Sequence, residues 1–340
     1  MICAKLTLCW ITTFSLLFAG AAAGQERVAV RVVGYPPDNG SKLPLYLAHR
    51  AGMFEKNGLR VSIINPGSNE NAFLAMKDNQ AEIYVVSATQ LVSNIMKGAG
   101  DFRIVANTGY NYFKFLADPS VARPEDLKGK KVGTGTPGST PDRITRLILK
   151  KLGLDPETDV VLVPSQGEGR SQVSLNLARL VSGELAASSM TAEGIYDLER
   201  AGLDKKLRVL TDYRALNIYT GGGADYAVSA AFLKTSRATV KAFLKALSEA
   251  IALGRGDKAV ALETLKAMRR FNDPALLEFT RRIYVDEVIP QRPFPKIESA
   301  ELAIQMSGAK PGIALKADDL VDLTLLQELE AEGLFQRLYR

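Results

Sequence analysis

The chain has 340 residues, of which 46% are hydrophobic and 24% are charged, a composition typical of globular proteins with a sizeable core. Its 43 basic and 37 acidic residues give a net charge of +6 and are interspersed, which argues against a nucleic-acid-binding surface. Both cysteines, Cys3 and Cys9, lie near the start, so the rest of the chain offers neither a disulfide nor a cysteine-ligated metal. This length favours two domains.

The first 23 residues have the pattern of a secretory signal peptide. Lys5 precedes an apolar segment from Leu6 to Phe18, and an Ala-x-Ala pattern predicts cleavage near Ala23. The apolar segment is shorter than the roughly 20 residues that a membrane-spanning helix needs. We therefore predict export to the periplasm as a soluble monomer that does not insert into the membrane.

Short β-type segments alternate with amphipathic segments, which predicts an α/β fold with mainly parallel sheets. Predicted strands cover residues 28–33, 59–64, 83–86, 102–106, 131–134, 160–163, 185–188, 207–210 and 226–229. One helix is predicted to start after Thr140, its N-cap, and to stop at Gly153. From residue 230 onward helices predominate, predicted at 237–253, 258–268, 274–284 and 317–330.

The pattern of residues 72–89 recurs at residues 177–191, as a helix, a short turn, a strand and small hydroxylated residues. Two similar lobes would explain this recurrence, and so would chance similarity between α/β units.

Small polar residues follow several predicted strands. They include Ser68, Ser87, Thr89, Thr136, Ser139, Thr140, Ser189 and Thr191. Because ligands bind beyond the carboxyl ends of strands in open parallel sheets, these turns are expected to meet at one cleft. Their hydroxyls and helix N-terminal N–H groups suit a carboxylate, a sulfonate or another small oxyanion. Each residue could equally serve only to cap a helix.

Residues suited to catalysis are scarce. His49 is the only histidine, and its apolar neighbours favour a packing role over that of a base or a metal ligand. No Ser-His-Asp triad, Cys/His cluster or P-loop is evident. We therefore expect neither enzymatic activity nor a cofactor or metal.

Five motifs, taken in order, resemble those of the periplasmic solute-binding proteins of ABC transporters for nitrate, sulfonates, taurine and thiamine-pyrimidine precursors. The motifs lie at Leu43–Ala48, Ala51–Val61, Asp126–Gly133, Leu152–Pro156 and Val181–Ala187. The resemblance implies the type II periplasmic-binding fold, with two lobes, two hinge crossings and C-terminal helices. Each lobe would be a mainly parallel sheet flanked by helices.

The resemblance also implies lobe boundaries and partners. Lobe 1 would comprise residues 27–111 and 218–340, and lobe 2 residues 112–217, with crossings near Thr108–Phe115 and Arg214–Ala224. A small anionic or polar solute (a sulfonate, a carboxylate, a nitrate- or bicarbonate-like ion, or a pyrimidine) would be captured between the lobes and delivered to an ABC permease of the inner membrane.

The implied ligand shell comprises sixteen residues. They are Tyr35, Asn39, Ser68, Asn69, Ser87, Ala88, Thr89, Tyr110, Asn111, Thr136, Gly138, Ser139, Thr140, Ser189, Met190 and Thr191. Tyr110, Tyr112 and Tyr219 could form aromatic walls or only hinge packing, and Arg143 and Arg170 are the basic candidates for the cleft. Alternatives of the same fold are a sensor, a tripartite-transporter receptor, and an enzyme resembling those that make the thiamine pyrimidine, which the missing cysteines disfavour.

Overall fold

The computed structural model describes residues 26–34, 40–165, 170–220, 223–269, 272–307 and 315–340. The predicted signal peptide and the predicted ligand residues Tyr35 and Asn39 lie outside this part, as do the side chains of Asn69, Thr140 and Arg170. Two five-stranded sheets with packed helices make up the described chain, so the predicted two-lobed α/β fold is confirmed.

Ten strands form the sheets. They are β1 Val28–Gly34, β2 Leu59–Ile64, β3 Ile83–Val86, β4 Phe102–Asn107, β5 Phe113–Ala117, β6 Lys131–Thr134, β7 Val161–Pro164, β8 Ala187–Thr191, β9 Arg208–Asp212 and β10 Asp225–Ser229.

Fifteen α-helices are present in the described ranges. They are α1 Leu43–Arg50, α2 Met53–Lys56, α3 Asn69–Lys77, α4 Ala88–Met96, α5 Thr140–Lys151, α6 Arg170–Val181, α7 Ala192–Arg200, α8 Ala230–Thr235, α9 Arg237–Gly256, α10 Lys258–Arg269, α11 Pro274–Arg281, α12 Ile297–Met306, α13 Ala317–Leu320, α14 Thr324–Ala331 and α15 Leu334–Leu338. A π-helix, Arg282–Val288, continues α11, and 3₁₀ turns lie at Gly40–Lys42, Pro124–Leu127 and Asp204–Lys206.

The two sheets have equivalent topologies. The strand order is β2-β1-β3-β10-β4 in the first sheet and β7-β6-β8-β5-β9 in the second. Each sheet has a single antiparallel strand, β10 or β5, and in both cases this strand directly follows a crossing of the chain from the other sheet. The recurring patterns at residues 72–89 and 177–191 occupy matching places, because β3 and β8 are each third in their sheet.

Each sheet has its own apolar core. In lobe 1, the sheet with β1, Val30 and Val32 are fully buried in one cluster with Phe243 and Leu247 of α9. In lobe 2, the sheet with β6, Val132 is buried in one cluster with Ile148 and Leu149 of α5. Burial of each such side chain contributes roughly 1.5–3 kcal/mol, so each sheet is anchored by its own helices.

The chain segment from α11 to the end of the π-helix contacts both lobes. Phe279 and Ile283 belong to the core cluster of lobe 2, and Val285 belongs to that of lobe 1. Tyr284 lies so close to Gly40 that a Cβ at Gly40 would stand 2.1 Å from its ring. This segment therefore packs along the junction of the lobes, and the predicted lobe boundaries remain a prediction.

Some elements were not predicted from the sequence, and others were predicted with the wrong bounds. Helices α4, α7 and α12 and strand β5 were not predicted. The single helix predicted at 317–330 is wrong, because Val321 forms a parallel bridge with Ile104 and separates α13 from α14. Thr140 is not the N-cap of α5, because the Ser139 hydroxyl accepts the capping hydrogen bond from the Asp142 N–H at 3.4 Å.

No helix in the described ranges is long and apolar enough to cross a membrane.

Candidate functional site

The chain passes between the lobes at two crossings, residues 108–112 and 213–224. The carboxyl ends of the parallel strands, the expected ligand-binding edge, lie at the same edges of the sheets as these crossings. We infer that the ligand-binding cleft lies between these two edges.

A cavity of about 240 Å³ lies at the carboxyl edge of the lobe 2 sheet, and we call it the lobe 2 cavity. The first crossing, β5, β6, β8, α5 and α6 supply its described lining. These lining residues are Asn111, Tyr112, Phe113, Thr134, Gly135, Pro141, Ile144, Val173, Asn176, Ser189, Met190 and Thr191. Four of the predicted ligand residues, Asn111, Ser189, Met190 and Thr191, are therefore brought together.

Three residues of the lobe 2 cavity carry buried polar atoms without a hydrogen-bond partner. They are the Tyr112 hydroxyl, the Asn176 Oδ1 and the Thr191 Oγ1. Only six such side-chain atoms occur among all the described residues, so half of them belong to residues of this one cavity. A buried polar group without a partner is costly and rare in folded proteins, and this concentration marks a place where a ligand would supply the partners.

The amide of Asn176 has a defined orientation. Its Nδ2 donates to the Thr134 carbonyl oxygen at 3.2 Å, and the Ser165 hydroxyl donates to the same oxygen at 2.9 Å. A flipped amide would place two acceptor oxygens against each other, so Oδ1 is the end that remains without a partner. Thr191, at the N-cap of α7, leaves its hydroxyl free because it makes no capping bond.

The turn between β6 and α5 is organised around the buried carboxylate of Asp142. Its oxygens accept from the Thr134 hydroxyl at 3.0 Å, from the Gly138 N–H at 3.0 Å and from Arg146 Nε at 3.1 Å. Gly138 adopts a φ of +78°, which favours glycine. The N–H groups that the sequence offered to a ligand at this turn are thus engaged by the protein's own side chains.

Of the predicted residues of this turn, Thr136, Gly138 and Ser139 are not among the described lining residues of the lobe 2 cavity. Thr136 is exposed and its hydroxyl donates to the Ser165 carbonyl at 3.4 Å, while Ser139 is the α5 N-cap. The backbone of Thr140 begins α5.

On the side of lobe 1, the predicted serines cap helices. Ser68 accepts from the Asn71 N–H at 3.1 Å at the start of α3, and Ser87 accepts from the Gln90 N–H at 3.2 Å at the start of α4. Asn69 is the first residue of α3, and Thr89 lies half-buried in the first turn of α4. Ser68, Ser87 and Thr89 are not among the described lining residues of the lobe 2 cavity, and the assignment of all four residues to the ligand shell remains a prediction.

A fully buried carboxylate, Asp225, connects α4 to the first crossing. It accepts from the Ala88 N–H at 2.8 Å and from Asn107 Nδ2 at 2.7 Å, and the Asn107 Oδ1 accepts from the Gly109 N–H at 2.8 Å. Burial raises the pKa of Asp225 to about 6, because the two hydrogen bonds lower it less than desolvation raises it. Ala88, another predicted ligand residue, has its N–H engaged in this network.

Aromatic rings line the two crossings. Tyr110 and Tyr219 lie 5.0 Å apart between ring centroids, and Tyr213 lies 6.5 Å from Tyr219 and 6.0 Å from Tyr112. The Tyr110 hydroxyl accepts from the Lys296 N–H at 2.9 Å, and burial raises the pKa of that hydroxyl. Tyr110 and Tyr219 therefore pack at the hinge, and of the three tyrosines considered only Tyr112 lines the cavity.

Arg143 connects the two sides of the cleft. From the first turns of α5 in lobe 2, its guanidinium donates to the Met306 carbonyl at 2.9 Å. Met306 is the last residue of α12, whose Ala300 and Ala303 share a core cluster with Leu91 of α4 in lobe 1. A guanidinium at a helix C-terminus also interacts favourably with the helix dipole.

The sequence reasoning missed Asn176, Asp142 and Asp225. Asn176 could have been noticed, because it lies three residues after Val173 on the apolar stripe of α6, where a polar side chain is unusual. Asp142 follows Pro141 in the first helical turn, where an acidic residue favours the helix dipole. Asp225 gave no signal, because its partners come from residues 88 and 107.

Comparisons with known proteins agree with this architecture. The binding protein YtlA of Bacillus subtilis strain 168 is 26% identical over 153 residues, 44% of this chain, and the match spans 46% of that relative's length. The sulfonate-binding protein SsuA of Methylobacillus flagellatus KT aligns with a TM-score of 0.65 at 15% identity, covering 91% of this chain and 96% of its own. The desulfurization enzyme DszB aligns with a TM-score of 0.56 at 15% identity, covering 90% and 100%.

These structural likenesses show the fold, which binding proteins and an enzyme share. The family model described as NMT1/THI5 like matches residues 39–255, well over half of the chain. This match confirms the resemblance read from the sequence motifs: the chain belongs to the NMT1/THI5-like family.

Proposed function

We propose that this protein is the solute-binding receptor of an ABC importer and that it holds a small anionic or polar organic solute between its lobes. The observation that carries the proposal is that three lining residues of the lobe 2 cavity, Tyr112, Asn176 and Thr191, each have a buried polar atom without a hydrogen-bond partner. Concave sites with a mainly apolar lining and a few placed polar groups are typical of small-molecule binding. Family membership and the likeness to a sulfonate-binding protein support the same function.

The same cavity favours binding over catalysis. A hydroxyl nucleophile needs a base within hydrogen-bonding distance, and the Thr191 hydroxyl has no hydrogen-bond partner. The Thr134 hydroxyl donates to Asp142, but that carboxylate is also held by the Gly138 N–H and paired with Arg146. The described lining residues include no histidine, cysteine, lysine, aspartate or glutamate. We therefore propose a receptor that releases its solute unchanged, although the fold is shared with an enzyme.

Export is part of the proposal. The pattern of residues 1–23 supports a cleaved signal peptide and a periplasmic location, where a receptor would meet the permease. Cell fractionation and N-terminal sequencing of the processed protein test this step. A product that keeps Met1 and remains with the cytoplasmic fraction would contradict it.

A thermal-shift screen tests solute binding, because any ligand that binds only the folded state raises the melting temperature. The panel comprises sulfonates, carboxylates, nitrate, bicarbonate and pyrimidines, and each hit is then assayed for uptake into vesicles that contain a candidate ABC permease. A solute that shifts melting and is taken up supports the receptor. Binding without uptake points to a sensor or tripartite-transporter receptor, and a panel without any shift contradicts the receptor.

A matched pair of variants locates the binding site. Val173→Trp places a large ring at the lobe 2 cavity, whereas Leu175→Trp, two residues further along α6, places the same ring on an exposed position. We expect the ligand-induced shift to disappear in the first variant and to persist in the second. Equal shifts in both would remove the lobe 2 cavity from the binding site.

A further inference from the structure

Two of the helices that follow strands at the cleft, α5 and α4, carry the protein's own carboxylates at their N-termini. At α5 the Asp142 carboxylate accepts from the Gly138 N–H, and at α4 the Asp225 carboxylate accepts from the Ala88 N–H. A helix N-terminus attracts anions through its free N–H groups and its dipole. Here an internal anion already takes that role on each side of the cleft.

The consequence for an incoming anion is unfavourable. At these two N-termini a second carboxylate, sulfonate or nitrate would meet a like charge and would find the N–H groups of Gly138 and Ala88 already donated. Arg146 does not compensate, because its guanidinium is paired with Asp142 and with Glu157.

The described lining of the lobe 2 cavity carries no charged side chain. None of its described lining residues is ionised at neutral pH, and most of the lining is apolar, from Phe113, Pro141, Ile144, Val173 and Met190. An ion buried without a partner costs far more than a neutral group does. Arg143, next to Ile144 in the chain, donates instead to the Met306 carbonyl, and Lys114, next to Phe113, lies over the Tyr112 ring at 5.7 Å from its centroid.

Of the three unpartnered atoms, the Asn176 Oδ1 is the one whose role in a hydrogen bond is fixed, because hydroxyls can donate or accept. The free end of Asn176 is the acceptor Oδ1, because its Nδ2 is engaged by the Thr134 carbonyl. A solute N–H or O–H would satisfy it, whereas an anionic oxygen would face it lone pair to lone pair.

We infer that the moiety seated in the lobe 2 cavity is uncharged and mainly apolar, and that it donates a hydrogen bond to the Asn176 Oδ1. This inference rests on the proposed receptor function and narrows its ligand class to neutral organic solutes. A small ring or branched chain that bears a primary amide fits the cavity's volume of about 240 Å³ and its single defined acceptor.

The test compares isosteric neutral and anionic probes. Benzamide, benzoate and benzenesulfonate form one series, and isobutyramide with isobutyrate forms a second, each titrated by calorimetry into the protein at pH 7.5. We expect the amides to bind at least tenfold more tightly than the matching anions. Anions that bind as tightly as the amides, or more tightly, would overturn the inference and leave the receptor function intact.

If no member of either series binds, while the solute screen also yields no hit, the receptor function itself fails. If the screen yields a hit, the charge of that solute decides the inference: a neutral donor supports it, and an anion overturns it.

An exchange of charge at the acceptor gives a second test. Asn176→Asp places a carboxylate where the Asn176 Oδ1 lies. The ratio of the affinity for the cationic probe benzamidine to the affinity for benzamide is therefore expected to be at least fivefold higher in this variant than in the parent protein. Asn79→Asp, on an exposed position, is the matched control and should leave the ratio unchanged. An unchanged ratio in both variants would contradict contact between the solute and Asn176.

Arg170 is the remaining basic residue that the sequence pointed to, and its side chain lies outside the described part. In Arg170→Ala, benzamide should bind within twofold of the parent. If this substitution instead abolishes the binding of an anionic probe that the parent binds well, the neutral-ligand inference is overturned.

Discussion

Each side of the cleft has a buried carboxylate at a helix N-terminus, but the surroundings of the two carboxylates differ. A buried carboxylate sits at the N-terminus of α5 in lobe 2 and another at that of α4 in lobe 1. Asp142 has a cationic partner, Arg146 at 3.1 Å, whereas Asp225 is held only by N–H donors and is fully buried. Burial therefore raises the pKa of Asp225 to about 6.

The two carboxylates therefore have different structural roles, one near the candidate ligand site and the other at the hinge. In lobe 2 the paired carboxylate orders the turn and leaves unpartnered atoms of Asn176 and Thr191 beside it, available for a ligand. In lobe 1 the carboxylate is part of a network that continues through Asn107 to Gly109 at the first crossing. We propose that lobe 2 supplies the chemical selectivity, and we expect the stability of lobe 1 to depend on pH.

The largest expected effect is on the lobe 2 turn. Asp142→Ala leaves the buried Thr134 hydroxyl and the Arg146 guanidinium without their carboxylate, and breaking such a buried pair costs about 3 kcal/mol. Urea unfolding followed by circular dichroism measures the loss. Asp78→Ala, an exposed aspartate of lobe 1, should change the unfolding free energy by less than about 0.5 kcal/mol. Equal stability of the two variants would contradict a central role for Asp142.

Asp225→Asn tests the lobe 1 side through pH. The folded state of the parent holds a proton on Asp225 between the ordinary pKa of 3.8 and about 6, so its stability falls as pH rises across that window. At about 1.4 kcal/mol per pH unit, the unfolding free energy of the parent should fall by about 3 kcal/mol relative to that of the variant between pH 3.8 and pH 6.

Unfolding free energies measured at intervals from pH 4 to pH 7.5 give this difference directly, because other titrating groups cancel between the two proteins. Asp318→Asn, at an exposed position, is the control and should show a difference that does not vary with pH. A flat difference for Asp225→Asn as well would mean that Asp225 ionises normally in the folded state.

Substitutions of two buried asparagines, one in each lobe, should have smaller effects on stability. In lobe 1, Asn94 accepts from Gln90 Nε2 at 2.9 Å and donates to Met76 Sδ at 3.5 Å, whereas Asn176 of lobe 2 has an unpartnered oxygen. Asn94→Leu should therefore cost about 1–2 kcal/mol, and Asn176→Leu less than about 1 kcal/mol, since it also removes the unsatisfied acceptor. Chemical denaturation of both variants checks the order, and the reverse order would argue against a ligand-binding role for Asn176.

The smallest expected effect concerns the contact between the lobes. Arg143→Ala removes an exposed hydrogen bond to the Met306 carbonyl, so the unfolding free energy should change by no more than about 0.5 kcal/mol. Spin labels on cysteines introduced at Asp78 and Lys205 should instead report a broader distribution of distances between the lobes. An unchanged distribution would show that this contact does not hold the lobes together.

Local sequence patterns predicted many elements well. The strands at Leu59–Ile64, Ile83–Val86 and Lys131–Thr134 lie where they were expected, because runs of β-branched residues bounded by turns have few alternatives. Predictions of secondary structure were wrong where contacts between residues distant in sequence determine it. The residues of β5 were assigned to the hinge, although β5 pairs with β8 and β9. The helix predicted at 317–330 is interrupted by the bridge between Val321 and Ile104.

For the candidate site, too, local features were predictable from the sequence and long-range contacts were not. Local sequence patterns were enough to predict the α/β class, the succession of strands and helices and the hydroxyl-bearing residues at the strand ends, because periodicity and capping act over a few neighbouring residues. Which of these hydroxyl-bearing residues line a cavity depends on the folded arrangement, since Asp142 accepts from an N–H of its own turn and Asp225 accepts from Ala88, 137 residues away in the chain. Hydrogen-bond partners so distant in sequence become neighbours only when the sheets form, and sequence periodicity carries no record of them.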